Sequence, residues 1–398
     1  MIQREHYMEQ IRPFYESDLI KIITGIRRCG KSVILQQIRE EINKSSGNVM
    51  YLNFEDRYTT GAIRSSEELL QYAEKNRKPG KMYLFLDEVQ ELDGWQNACR
   101  TLRLHNTSVF ITGSNSKLLS GEFTKELSGR YVAFRIRPFV YRELAEYAAQ
   151  LGKELSVADY LVWGGFPGRL EQLDAQAQRR YLNDLDSTIV INDLVRRYRI
   201  KKVSLFTALV DYVLKSNSRI FSANSICEYV RQQHDACSVN TIMKYLGYLE
   251  EAYIIEHIPQ YSTKTKRTLS FYEKIYDEDV AFNSLRSREG RYDLTHNLEN
   301  VVYNELLYMG YELTVYNNGG REIDFLCEKG GKKYFVQVAY SVAEDKAYER
   351  EFSAFNGLSQ LDRKIIITND EIDFSTSNVQ HIQLKKFLLM ENLEDAVQ

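Results

Sequence analysis

Lys21-Ile22-Ile23-Thr24-Gly25-Ile26-Arg27-Arg28-Cys29-Gly30-Lys31-Ser32 decides the reading of this chain. Its first four residues have the apolar, β-branched character of a short buried strand, and from Val33 to Glu40 apolar residues return at helical spacing. Strand, glycine loop and helix thus follow in the order a phosphate-binding loop requires. Gly25 and Gly30 let the loop curl so that backbone N–H groups face inward, and the new helix adds the positive end of its dipole. The stretch Gly25, Ile26, Arg27, Arg28, Cys29, Gly30, Lys31, Ser32 and Val33 is therefore the expected phosphate cradle. Lys31 is expected to neutralise the β and γ phosphates and the Ser32 hydroxyl to hold Mg²⁺. A chance glycine turn before a helix is the bland alternative, and the complete G-x-x-x-x-G-K-S pattern in this context argues against it.

A loop of this kind needs an acidic residue at the end of a hydrophobic strand, and Met82-Tyr83-Leu84-Phe85-Leu86-Asp87-Glu88 supplies one. Asp87 is the expected Mg²⁺ partner, and Glu88 is placed to polarise an attacking water. Alone, such a strand would read as one ending in solvated acids; beside the loop it reads as the second half of one site. Between the two motifs Val49–Asn53 is a further strand candidate and 65–75 is helical. This extra unit resembles the additional-strand class of P-loop ATPases, whose members carry a catalytic glutamate at the position of Glu88.

Another strand, Ser108–Thr112, ends in Gly113-Ser114-Asn115-Ser116, which puts polar side chains where ligands of α/β sheets sit. Ser114 or Asn115 is the candidate sensor of the γ-phosphate; a turn that caps the next helix is the alternative. Arg130, in Ser128-Gly129-Arg130 before a strand at 131–136, is the candidate arginine finger, set against a surface arginine at a helix end.

The composition frames these motifs. With 398 residues the chain is long enough for two or three cores, so function has to be assigned by segment. Hydrophobic residues at 43% and charged ones at 27% are ordinary globular proportions, and no apolar run approaches the roughly 18 to 20 residues that span a bilayer. Integral membrane insertion is excluded. The start mixes Arg4, Glu5, His6, Glu9, Arg12 and Glu16 without the layout of an export signal, so a cytoplasmic location is expected, with the five cysteines as thiols. A net charge of −3 argues against a surface coated with basic residues but leaves local basic patches open.

Taken together, the motifs resemble the prokaryotic AAA-like ATPases that join an ATPase domain to a C-terminal domain of unknown function with a nuclease-like fold. The marks are Thr24 to Ser32, Leu86-Asp87-Glu88-Val89-Gln90, Ile111 to Ser116, Leu127-Ser128-Gly129-Arg130, Gly164-Gly165-Phe166-Pro167 and Ile323-Asp324-Phe325, and they cover nearly the whole chain. The resemblance implies ATP and Mg²⁺ as ligands and leaves the biological role open. Gly164-Gly165-Phe166-Pro167 is similar to the Gly-x-Pro element by which related signalling ATPases touch bound nucleotide from the lid; this implies Pro167 beside the nucleotide, against a plain helix stop.

Residues 211–270 have the layout of a winged helix: a helix at 226–233, a second opened by Ser238 and running through Tyr248, then a first wing strand at Tyr253-Ile254-Ile255. Lys264, Lys266 and Arg267 on the presumed wing, with Arg196, Arg197, Arg199, Lys201 and Lys202 upstream, offer contacts to DNA phosphates. Against that, the presumed recognition helix has only Lys244, and such modules also serve as protein–protein or interdomain elements.

Beyond it, a helix at 298–309, strands at 311–316, 322–327 and 333–340, and a further helix and the strand 364–368 resemble the restriction-endonuclease-like PD-(D/E)XK core. That chemistry uses carboxylates to hold Mg²⁺ and a lysine near the attacked phosphate. Glu299 and Asp324 match the acids, but the acid-x-lysine of the third strand reads Gln337-Val338-Ala339. A neutral amide and a methyl group argue against nuclease activity and for a degenerate fold kept for binding or assembly; Lys346 is the alternative source of a lysine.

The expected organisation is an α/β, AAA-like P-loop ATPase domain at 1–150, a helical lid and connector at 151–210, a winged-helix-like domain at 211–270 and a degenerate PD-(D/E)XK-like domain at 271–398. The expected function is hydrolysis of ATP to ADP and phosphate with Mg²⁺, coupled to the C-terminal parts. The alternatives are a nucleotide-gated switch that binds a protein partner or self-associates with negligible turnover, and an ATP-regulated DNA-processing or defence enzyme.

Overall fold

The computed structural model describes residues 2–61, 63–113, 127, 129–232, 237–262, 267–287, 290–318 and 320–396. It divides into two compact units, Met1–Pro138 with Glu251–Tyr253, and Phe139–Glu250 with Ile254–Gln398.

Apolar five- to seven-residue runs in the first unit make an all-parallel sheet: β1 (Ile20–Thr24), β2 (Val49–Asn53), β3 (Met82–Asp87), β4 (Thr107–Gly113) and β5 (Tyr131–Arg135). Their order is β2-β3-β4-β1-β5. β1, β3 and β4 are buried along their whole length, as strands covered on both faces must be. Helices Ser66–Lys75 and Trp95–Leu104 close one face through Leu69, Ala73, Trp95, Ala98 and Leu102. The strand candidate that precedes the acidic pair in sequence, β2, lies at the sheet edge; the strand that separates β1 from β3 in space is β4. Lys21 is the polar exception inside β1, and its ammonium donates to Ser17 O at 3.1 Å and Ser108 Oγ at 2.7 Å. A parallel sheet brings the C-terminal ends of all its strands to one edge, so 25–32, 87–88 and 112–113 converge although they are far apart in sequence.

In the second unit eight strands form one mixed sheet: β6 (Ile220–Phe221), β7 (Ile255–Ser262), β8 (Arg267–Asp277), β9 (Glu312–Asn318), β10 (Arg321–Lys329), β11 (Lys332–Val338), β12 (Arg363–Thr368) and β13 (Gln380–Gln383). Their order is β13-β12-β11-β10-β9-β7-β8-β6. β7 and β8 pair antiparallel, and β7 joins β9 in parallel over Gln260–Ser262 and Val315–Asn317. The segments 211–270 and 271–398, separated on sequence grounds, thus share one sheet, and β8 spans 270/271, with a register shift against β7 at that point. The expected first wing strand starts later than Tyr253, whose φ of +57° ends the helix Val239–Glu251 before β7 begins. Among the described residues no helix is long and apolar enough to cross a membrane.

Candidate nucleotide site

Gly25 follows β1 directly, and its need for glycine is steric as well as conformational. A Cβ there would lie 2.0 Å from the carbonyl oxygen of Ile136, where the chain leaves β5, and φ is +143°. Arg28 (φ +68°) and Gly30 (φ +102°) continue the loop in left-handed conformations. Helix Lys31–Asn43 begins at Gly30 without a side-chain cap, so its first N–H groups are presented to the loop's concavity. Lys31 is buried, and its ammonium donates to Ile26 O at 3.1 Å, inside the loop it serves.

Ser32 and Asp87 meet as the two motifs require: Ser32 Oγ donates to Asp87 Oδ1 at 3.1 Å. Two further hydroxyls hold the same carboxylate, Tyr51 on β2 at 2.8 Å to Oδ2 and Thr112 on β4 to Oδ1. Burial, then the Asp87 charge, pushes the Tyr51 phenol above its usual range and keeps it a donor. Thr112 also accepts the backbone N–H of Glu88 at 2.9 Å. This helps hold Glu88 at φ 49°, ψ 49°, a conformation that costs a residue with a Cβ on the order of 1 kcal/mol or more. The Glu88 carboxylate is only partly buried and accepts from Gln90 Nε2.

Arg4 braces the loop from behind. It is almost wholly buried, and Nη1 donates to Cys29 O at 3.2 Å and Arg137 O at 3.0 Å. Sequence reasoning missed Arg4, Tyr51 and Thr112. For Thr112 a signal existed, a polar residue closing a hydrophobic strand; for Arg4 and Tyr51 there was none.

Three other expected residues stand differently. Ser114 and Asn115 lie outside the described residues. Arg130 is exposed, but it sits before β5, and its carbonyl accepts the N–H of Ile20 at 3.1 Å, at the start of β1. That is the opposite sheet edge from the phosphate loop, about 16 Å away across five extended residues. Within one chain Arg130 cannot be the finger, because a residue immediately before a parallel strand falls at the wrong edge; only a finger reaching into another copy remains. The arginine that ends β5 in register with Thr24 is Arg135.

Pro167 belongs to the second unit, where Gly164 and Gly165 have a packing reason of their own. A Cβ on Gly164 would lie 1.7 Å from Asp279 Oδ1 and one on Gly165 1.9 Å from Phe139 O, while Gly165 N donates to Asp279 Oδ2 at 2.7 Å. Lys346 is exposed, on the helix Asp345–Ser353. The lysine that meets Glu299 and Asp324 is Lys274 of β8, which the sequence reading did not single out.

Comparison with known proteins agrees with this division. A family described as "AAA domain" matches residues 17–145, and two families described as "Domain of unknown function", DUF8612 and DUF4143, match 154–286 and 295–387. An uncharacterized protein of Haemophilus influenzae is 32% identical over 358 residues, covering 87% of this chain and 88% of its own. An uncharacterized protein of Methanocaldococcus jannaschii is 32% identical over 382 residues, covering 88% and 82%. Among solved structures a Walker-type ATPase of Pyrococcus abyssi superposes with a TM-score of 0.53 at 16% identity, over 72% of this chain and 96% of that one, a likeness of fold.

Proposed function

We propose that this chain, which carries an AAA domain and belongs to one family with its Haemophilus and Methanocaldococcus relatives, binds ATP and hydrolyses it to ADP and phosphate. The observation that carries the reading is the convergence of Lys31, Ser32, Asp87 and Glu88 on one edge of the parallel sheet. The loop amides and Lys31 bind and neutralise the phosphates. Ser32 and Asp87 fit Mg²⁺: one hydroxyl and one buried carboxylate suit an ion that keeps waters and takes phosphate oxygens, and its charge would offset that of the β and γ phosphates. Glu88 orients the attacking water and takes its proton as the oxygen bonds to the γ-phosphorus and ADP leaves. Tyr51 and Thr112 fix the carboxylate, and Arg4 fixes the loop. The cycle is coupled to the second unit, whose segments we read as winged-helix-like and nuclease-like.

A second reading, regulation by DNA, is favoured by one patch of that unit. Arg196, Arg197, Arg199, Lys201, Lys202 and Lys244 are exposed, Tyr198 stacks on Tyr248 with centroids 3.6 Å apart, and Lys244 lies over the Tyr248 ring. Cations around an aromatic pair suit phosphate and base contacts.

The test is phosphate release from Mg-ATP, with and without DNA, for the wild type and Glu88→Gln. Turnover should fall by roughly 10²- to 10⁴-fold in the variant while ATP binding survives. Stimulation by DNA that weakens steeply with salt supports the second reading. A wild type that binds ATP but releases no phosphate under any condition would sink hydrolysis and leave a nucleotide-gated binding switch.

A further inference from the structure

Lys274 extends from β8 into the second unit until almost nothing of it is exposed (5%). Its ammonium lies 2.9 Å from Glu299 Oε1 on helix Leu294–Tyr308, 3.0 Å from Asp324 Oδ1 on β10 and 2.7 Å from Glu322 Oε1. An ammonium has three donors, and three carboxylates meet them. We propose that Lys274 is the built-in cation of this cluster, standing where the nuclease-like layout would hold a divalent metal, so that the second unit is a metal-independent scaffold.

Both oxygens of Asp324 and one each of Glu299 and Glu322 are already engaged. Asp324 Oδ1 accepts from Lys274 and Oδ2 from the Val338 N–H at 2.9 Å. Glu299 Oε1 accepts from Lys274 and from the Tyr276 hydroxyl at 2.8 Å. Gln337, at the place of the third-strand acid, accepts from the Asp324 N–H at 3.2 Å and donates to Glu351 Oε2 at 2.7 Å. Mg²⁺ asks for an octahedron of oxygens at about 2.1 Å, most of them water or phosphate. This donor set offers fixed N–H and O–H partners instead, and the residues do not fit the metal. Nor does Lys274 suit the role of a lysine facing a scissile phosphate, because all three of its hydrogens point at carboxylates. What the arrangement does is tie β8 to the helix and to β10. Breaking a buried pair by removing one partner strands the other charges, which is why such a tie is strong against loss of its lysine.

This inference is independent of ATP turnover, and so is its test. Melting of the nucleotide-free, full-length protein is followed with EDTA and with Mn²⁺, and bound Mn²⁺ is counted by paramagnetic resonance. The second unit of the wild type should melt at the same temperature in either. Lys274→Ala should lower the melting temperature of the second unit by roughly 10 °C and recover part of the loss in Mn²⁺, which the vacated carboxylates can now take. Adding Asp324→Asn should abolish the recovery. A wild type that binds Mn²⁺ at a site lost in Asp324→Asn would overturn the proposal, and this comparison decides the matter even if Lys274→Ala fails to fold. Metal-dependent DNA cleavage lost in Lys274→Ala, or a stability loss that Mn²⁺ does not restore, would overturn it as well.

Discussion

Asp87 in the first unit and Asp324 in the second are both buried carboxylates on strands that run deep into a core, and their partners give them opposite meanings. Three hydroxyls hold Asp87, those of Ser32, Tyr51 and Thr112. Neutral donors orient a carboxylate and leave its charge available to an arriving cation. Asp324 faces the Lys274 ammonium at 3.0 Å and a backbone N–H at 2.9 Å, so its charge is answered from within. The identity of an acid and its place on a strand are therefore insufficient to assign a site; what decides is whether the groups around it cancel its charge or merely aim it.

The sharpest break of this comparison is the same substitution made at both places. Asp87→Asn should cut phosphate release at least about 100-fold and leave the melting of the first unit unchanged or raised, since the charge it removes serves the ligand. Asp324→Asn should destabilise the second unit by about 3 to 5 kcal/mol, since the charge it removes serves the fold, and below the melting transition turnover should stay within about twofold. Calorimetry and phosphate release on the two proteins check both halves. An Asp324→Asn protein that keeps its stability and loses turnover would erase the distinction.

Much of the first unit was legible because its signals are local. Strand, glycine loop and helix are contiguous from Ile20 to Asn43, and the acids of β3 close an unbroken apolar run. The residues around those acids were not legible, since only the strand order brings them in: β4 carries Thr112 between β1 and β3, and β2 delivers Tyr51 from the edge. Within one chain Arg130 misleads for the same reason in reverse, a plausible neighbour in sequence that the parallel sheet places at the far edge, so that only a reach into another copy is left to it. In the second unit β8 escaped because its first half, Arg267-Thr268-Leu269-Ser270, is polar enough to pass for a wing tip, and the division at 270/271 cut it. With the strand went Lys274. The aromatic and aliphatic residues Phe271, Tyr272, Ile275 and Tyr276 were the available signal of a strand that continues.

A smaller effect grades the hydroxyls themselves. Thr112→Val keeps the shape but removes a donor to Asp87 and the acceptor of the Glu88 N–H, so kcat should fall roughly 10- to 100-fold with KM for ATP changed by less than about threefold. Tyr51→Phe removes a bond to Asp87 alone, and a loss of roughly three- to tenfold in kcat is expected. Steady-state kinetics over an ATP series separates these from a fold defect, which would lower the active fraction at unchanged KM and leave kcat per active site intact. Equal effects from the two substitutions would mean that Thr112 does nothing for Glu88.

The smallest expected effect is electrostatic and sets the units against each other. Burial, reinforced by Lys81, pushes the Lys21 ammonium in β1 down to about 7 from 10.5. Its unfolded form therefore binds the proton more tightly, and the first unit should gain stability as pH rises from 7 towards 10.5 and lose it as pH falls through 7. In the second unit burial pushes Glu305 up to about 8 from 4.5, although its Oε1 accepts the Tyr141 N–H at 3.0 Å. Here the folded form holds the proton more tightly, so stability is fully present below 4.5 and is lost as pH rises to 8. Each slope amounts to about 1.4 kcal/mol per pH unit at most inside its window. Calorimetry between pH 7 and 8 should show two transitions moving in opposite directions, the first upward and the second downward. Glu305→Gln should make the second shallower, with the buried Asp277 still raised by its own burial, and leave the first unchanged, while Lys21→Met should flatten the first alone, because each substitution removes a charge whose cost is confined to its own core.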